Sequence, residues 1–174
     1  AQGCGNLLLN VGLRANGRAP EAAVGCLDEV GNWLRRGGAE AVFGTERFSF
    51  DLEERSDQRA GNRGDFNHHG LLTTKQSNLY WLLLRWPGTA FSLGGLRCRV
   101  TRAVLLGENS REIDFQQEGS RVSLRGLPPH APDPVCPVIR FECDRAPEVY
   151  QTGGLRVPKL AHPHYDPCPS DIQH

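Results

Sequence analysis

The stretch Gly5-Asn6-Leu7-Leu8-Leu9-Asn10-Val11-Gly12 decides how the rest of the chain is read. From Asn6 to Val11 it sets a continuous apolar core between polar residues, the pattern of a strand buried on both faces of a parallel sheet. A Gly-rich turn through Gly12 and Gly17 follows. Pro20 with Glu21 then offers a helix start, because a fixed φ and a negative charge both suit a helix N-terminus. Ala23, Leu27, Val30 and Leu34 recur at helical spacing on one stripe, which Cys26 and Trp33 widen. Gly37-Gly38 is expected to stop that helix. Strand, loop and amphipathic helix make one βα unit, and a parallel strand needs sheet neighbours that such a unit does not contain. The absence of Met and the opening Ala1-Gln2-Gly3, with no charged and hydrophobic leader, point the same way. The chain is expected to be the later part of a longer protein, its missing sheet upstream of Ala1.

After Thr45 the texture changes. Residues 51–69 carry a mixed-sign run, Asp51, Glu53, Glu54, Arg55, Asp57 and Arg59, which reads as a long solvated loop. Beyond it come short apolar runs at a spacing of roughly ten residues: Leu71–Lys75, Leu79–Trp86, Ala90–Leu93, Cys98–Leu106, Glu112–Gln116, Arg121–Arg125 and Val138–Cys143. That rhythm predicts an antiparallel β-sandwich of about seven strands. Ile113 with Phe115, Val122 with Leu124, and Ile139 with Phe141 and Cys143 alternate with polar neighbours, so one face is expected to be buried and the other wet. Pro87-Gly88, Gly94-Gly95, Glu108-Asn109 and Glu118-Gly119 supply turns. The expected organisation is a βα unit over residues 1–45, a connecting loop over 46–69, a sandwich over 70–145, and an irregular Pro- and His-rich tail over 146–174.

Composition narrows the function classes. A 174-residue chain with 39% apolar and 23% charged residues lies in the globular range. Twenty Lys plus Arg balance twenty Asp plus Glu, which argues against nucleic acid or an anionic membrane surface as partner. The longest apolar runs, such as Leu79–Leu84, are too short for a spanning helix. The six cysteines (Cys4, Cys26, Cys98, Cys136, Cys143, Cys168) show no repeated spacing and no C-x-x-C pair, so disulfides are permitted without being implied. Cys136 and Cys143 read equally as bridge-formers and as buried free thiols. Adjacent His68 and His69 point apart, and His162, His164 and Cys168 match no zinc spacing, so neither metal nor cofactor is expected.

Taken in order, Gly5 to Gly12, Asn16-Gly17, Pro20-Glu21, Gly31-Asn32-Trp33-Leu34 and Glu40-Ala41-Val42-Phe43-Gly44-Thr45 resemble the end of the catalytic domain of α-L-fucosidases of glycoside hydrolase family 29. Thr73-Thr74-Lys75, Leu79-Tyr80, Arg85-Trp86-Pro87-Gly88, Val104-Leu105-Leu106-Gly107 and Gly126-Leu127-Pro128 look like the β-sandwich that follows the barrel in that family. The likeness spans residues 3–147. One departure is Leu13, where the family usually has Pro, which leaves the loop less rigid.

The resemblance implies a mainly β chain: an antiparallel β-sandwich preceded by one βα unit, residues 1–43 being the eighth strand and last helix of a truncated (β/α)8-type barrel. Such barrels place their active site at the C-terminal ends of the strands, here Asn10 to Gly17. The implied activity is hydrolysis of terminal α-L-fucose from glycoconjugates with retention, which takes two carboxylates about 5–5.5 Å apart. In the family both lie on earlier barrel segments, so no catalytic residue is assigned in this chain. Asp28, Glu29 and Glu40 fall on or after the helix, at the wrong place. The implied partner is a fucosylated glycan met through the missing barrel, and the implied location is secreted, periplasmic or lysosomal. Oligomeric state and linkage preference are left open.

Asn10 and Arg14 are the candidate substrate contacts, being at the active face. The competing reading is that the Asn amides satisfy loop backbone groups. Trp33 reads as packing rather than a sugar platform, because it widens the helix stripe. Trp81 and Trp86 read as core aromatics or, in the competing function class, as a glycan-stacking pair in a non-catalytic carbohydrate-binding or protein-interaction module.

Overall fold

The computed structural model describes residues 7–48, 70–94 and 96–148. The charged run over 51–69, the histidines at 68, 69, 162 and 164, Cys4, Cys168 and nearly all of the expected tail lie outside the described residues. Two sheets and one helical segment form three layers. The larger sheet has the order β1 (Glu46–Phe48), β2 (Gly70–Lys75), β3 (Asn78–Leu83), β9 (Val138–Cys143), β5 (Val100–Leu106), β6 (Arg111–Glu112), and the smaller one β4 (Ala90–Leu93), β8 (Arg121–Arg125), β7 (Asp114–Glu118). Every pairing is antiparallel.

Register explains the layering. Leu72 pairs with Trp81, Leu79 with Phe141, Trp81 with Ile139, and Ala103 and Leu105 with Phe141 and Ile139, so these side chains share one face. That face meets Leu93, Val122 and Leu124 of the small sheet, with Phe91 and Phe115 packed alongside. The alternating sets read from the sequence all fall in this core. Trp81 lies at its centre, fully buried, edge-on to Phe91 with ring centroids 4.4 Å apart.

The intervening residues of the same strands, Tyr80, Leu82, Val104, Leu106 and Val138, form the opposite face of the large sheet. Here the expectation of a wet outer face fails. Trp33, Ala41 and Val42 of the helical segment cover these residues as a second core cluster, completed by Cys136. The continuous apolar runs Leu79–Leu83 and Val104–Leu106 are the sequence form of strands buried on both sides.

The first helix, α1 (Glu21–Trp33), runs into the turn that follows, and Gly37, with non-helical φ 120 and ψ −11, breaks it as expected; beyond the kink a short second helix, α2, covers Ala39–Val42. Gly37 has φ +120, and a Cβ there would meet the Leu106 Cβ at 2.6 Å. A Cβ on Gly38 would strike the Trp33 ring at 2.6 Å. The glycine pair therefore turns the chain close over the sheet and lets Trp33 tuck beneath it.

Three further differences refine the strand expectations. Glu46–Phe48 is a strand at the sheet edge, paired with Leu72–Thr74, rather than the start of a loop. Glu112–Gln116 splits at Ile113, whose amide donates to Ala103 O at 2.9 Å, so the chain passes from β6 in one sheet to β7 in the other, a sandwich corner. Leu79–Trp86 stops as a strand at Leu83, with Trp86 donating to Pro128 O at 2.8 Å across the turn.

The opening segment read as a strand, Asn6–Val11, is expected to lack its sheet neighbours in this chain, and the described part of it is largely exposed. Residues 7–11 form neither strand nor helix, and Leu7, Leu8 and Leu9 are 89%, 92% and 60% exposed. A strand exists through its neighbours, since its N–H and C=O groups must pair laterally. No described residue pairs with this segment.

Candidate functional site

The loop carrying Asn10 and Arg14 is built by local hydrogen bonds. Gly17, at φ +75, donates its amide to Arg14 O at 2.8 Å, and the Arg14 amide donates to Arg18 O at 2.9 Å. Asn16 Oδ1 accepts the Arg18 amide at 3.1 Å. The turn-stabilising amide is thus that of Asn16, and Asn10 has no such role. Asn10 and Arg14 both lie exposed, and neither side chain bonds to a described residue. The loop presents them on one stretch of backbone, with Leu13 beside them 65% exposed.

Apolar residues of α1 are exposed as well. Val24, Leu27 and Val30 are 43%, 39% and 45% exposed, and α1 has no buried residue. Trp33, at its end, is where the helix meets the sandwich. Its Nε1 donates to Cys136 O at 2.7 Å, which agrees with the packing reading of this residue.

A chain of charges clasps helix to sheet. Arg140 donates to Glu40 Oε1 at 2.8 Å and to Glu142 Oε1 at 2.7 Å, and the Tyr80 hydroxyl donates to Glu40 at 3.0 Å. Burial first, then the bond to Glu40, pushes the Tyr80 phenol up to about 12. Arg36 pairs with Asp133 at 2.7 Å on the other side of the bend. Burial of Asp133 opposes its ionisation, but Arg36 and the amides of Val135 and Cys136 outweigh it and hold the carboxyl below its ordinary value. Glu40 and Glu142 both face Arg140, so this pair of carboxylates serves docking and does not flank an open space for a sugar.

A broad groove of about 870 Å³ lies at one end of the sandwich, lined by Arg97, Arg99, Thr101, Phe115, Gln117 and Asp144 among others. Its polar groups are engaged internally. Gln117 accepts from the Val100 amide at 2.8 Å and donates to Cys98 O at 2.9 Å, and Thr101 donates to Glu142 O at 3.0 Å. Trp81 is sealed in the core and Trp86 is half-buried against it, so the two do not form an exposed stacking platform. Among the described residues no cluster of three His, Cys, Asp or Glu is placed to hold a metal ion, and no helix is long and apolar enough to cross a membrane.

No family model matches the sequence, and no curated protein does. Solved structures do. An α-L-fucosidase from Vibrio sp. strain EJY3 is 25% identical with a TM-score of 0.64, over 80% of this chain and 23% of that one. α-L-fucosidase isoenzyme 1 from Paenibacillus thiaminolyticus is 27% identical with a TM-score of 0.62, over 80% of this chain and 31% of its own. A family 29 α-L-fucosidase from Bacteroides thetaiotaomicron, trapped as a covalent intermediate, shares the fold at 18% identity and a TM-score of 0.54. The chain therefore spans less than a third of the length of these enzymes. This chain is similar to the α-L-fucosidases of glycoside hydrolase family 29, in the part of them that ends in a β-sandwich.

Proposed function

We propose that this chain is the C-terminal portion of a retaining α-L-fucosidase that releases terminal α-L-fucose from glycoconjugates, and that it is inactive without the rest of the catalytic barrel. The observation that carries this reading is the contrast between a closed sandwich and an open N-terminal surface. Trp81, Phe141 and Val122 are fully buried, whereas Leu7, Leu8, Leu9, Leu13, Val24, Leu27 and Val30 stand in solvent. So many large apolar side chains left exposed along one stretch of chain mark a contact face. Its occupant in this reading is the remainder of a (β/α)8-type barrel, for which the greater length of the similar enzymes leaves room.

Within the assembled enzyme, Leu7–Val11 becomes the last barrel strand, and Asn10 and Arg14 emerge at its C-terminal end, where barrel enzymes bind substrate. Asn10 offers an amide and Arg14 a guanidinium to sugar hydroxyls. By the resemblance, the nucleophile and the acid/base come from earlier barrel segments, and retention needs the two carboxylates about 5–5.5 Å apart. The covalent intermediate of the Bacteroides enzyme supports the same two-step chemistry. The sandwich braces the barrel through the Trp33 and Glu40–Arg140 contacts, and the glycan is met through the barrel, without nucleic acid or membrane.

The test is turnover of an aryl α-L-fucoside. The 174-residue chain should show none, and the same chain expressed with its upstream coding sequence should show it. Robust hydrolysis by the 174 residues alone would refute the assignment of catalysis to the barrel. Tight calorimetric binding of fucosylated oligosaccharides by the isolated chain would favour a carbohydrate-binding module instead.

A further inference from the structure

Cys98 and Cys143 reach the inter-sheet core from neighbouring strands. Val100 pairs with Cys143 in the β5–β9 ladder. The pairing runs one step further: the Asp144 amide donates to Arg99 O at 2.9 Å, and the Arg99 amide to the Asp144 carboxylate at 2.9 Å. Cys98, two residues before Val100, thus shares its face and lies diagonal to Cys143. Both belong to the core cluster, at 0% and 7% exposure, and both thiols are free. Among the other described cysteines, Cys26 is exposed on α1, and Cys136 is buried in the outer cluster with its thiol directed to Leu83 O at 3.6 Å.

We propose that Cys98 and Cys143 form an oxidisable dithiol that closes to an intramolecular disulfide when the chain meets a small-molecule disulfide such as oxidised glutathione. The two cysteines are diagonal neighbours on one face of adjoining strands in the same core cluster, so closure to the covalent length of about 2.05 Å needs a local adjustment of the strand ends. Cys98 lines the groove and Cys143 does not, and the neighbouring Cys143 holds the Cys98 thiol below its ordinary value, which makes Cys98 the first nucleophile. The groove beside β5 is lined by Cys98, and local opening there admits the oxidant. The Cys98 thiolate attacks one sulfur of oxidised glutathione, forming a mixed disulfide and expelling one glutathione thiolate. Cys143, its proton passed to solvent, then attacks the Cys98 sulfur and expels the second. One sulfur–sulfur bond is made in the protein and one is broken in the oxidant, which takes up two electrons and leaves as two thiols.

The consequence is a cross-link between the start of β5 and the end of β9, closing a loop of about 45 residues and raising the melting midpoint by roughly 10 °C. The experiment equilibrates the full chain at graded ratios of oxidised to reduced glutathione with mild urea to permit local opening, then alkylates and digests with trypsin. The expected product joins the peptides Cys98–Arg99 and Phe141–Arg145, is two hydrogens lighter than its reduced parts, and accompanies the rise in melting midpoint. Cys98→Ala, checked by circular dichroism for a folded sandwich, should abolish both. Full alkylation of both cysteines at every ratio, a reaction that halts at glutathionylated Cys98, or a cross-link from Cys143 to another cysteine would each overturn the proposal. None of these outcomes depends on fucosidase activity.

Discussion

Replacing Trp33 tests whether a single anchor docks the helical segment on the sandwich. The indole packs against the outer cluster of Tyr80, Val104, Leu106 and Val138, sits beneath Gly38, and donates to Cys136 O at 2.7 Å. A fully buried aromatic covers roughly 150–250 Å², or about 4–6 kcal/mol at 25 cal/mol per Å². Trp33 is only partly buried, so Trp33→Ala should weaken docking by about 3 kcal/mol. Trp33→Phe keeps most of the area but strands the Cys136 carbonyl, for about 1.5 kcal/mol. The assay is limited trypsin cleavage after Arg35 and Arg36, which requires the bend to lift from the sheet. Where cleavage follows a fast opening equilibrium, the Ala variant should be cut roughly 100-fold faster and the Phe variant roughly 10-fold faster than the parent. The inter-sheet core should melt almost unchanged, since none of its residues touches the indole. Unaltered cleavage in both variants, or a fall in sandwich stability equal to the loss of docking, would refute the reasoning.

Three further outcomes follow from the same contacts. Asp133 is held below its ordinary value of 3.8 in the folded chain, so its contribution is present above that value and is lost as pH falls through the depressed folded value. Urea midpoints of the parent should drop there, and Asp133→Asn should flatten the profile by about 1 kcal/mol. Tyr80, pushed up to about 12, keeps the folded chain favoured below its ordinary 10.0 and loses that contribution as pH rises between the two values. Phenolate absorbance should show one late-titrating tyrosine that Tyr80→Phe removes. Gly37→Ala combines a positive φ with a collision at Leu106, and should destabilise helix docking by about 2 kcal/mol or more, measured by the same trypsin assay.

The sandwich was legible because its strands alternate. Val122 and Leu124, or Ile139 and Phe141, declare their shared face without help from distant residues. The outer cover of the large sheet was harder to foresee, although Leu79–Leu83 carries its mark in an unbroken apolar run. The break between Lys75 and Leu79 was placed without its turn residues being named, because Gln76 adopts φ 55 without glycine or asparagine, and local chemistry gives no warning of that. The helix stop at Gly37-Gly38 was legible, because glycine admits the positive φ that breaks the helix, but the short second helix after it carries no signal of its own. The opening segment shows the limit of pattern: its unbroken apolar run records neighbours that the described residues do not supply, so it is largely exposed here and forms no strand. The site was least legible. Asn10 and Arg14 were marked by position in a family pattern, whereas the Glu40–Arg140–Tyr80 clasp joins residues 100 positions apart that no local motif connects.

The account rests on an apolar opening segment built to be covered by a barrel. Hydrogen exchange on the monomeric 174-residue chain reads this directly, peptide by peptide. The prediction is rapid exchange across Leu7–Leu13 beside slow exchange in β3, β5 and β9, with the opening segment becoming slow when the upstream barrel polypeptide is present. Slow exchange at Leu7–Leu13 in the isolated monomer would contradict it.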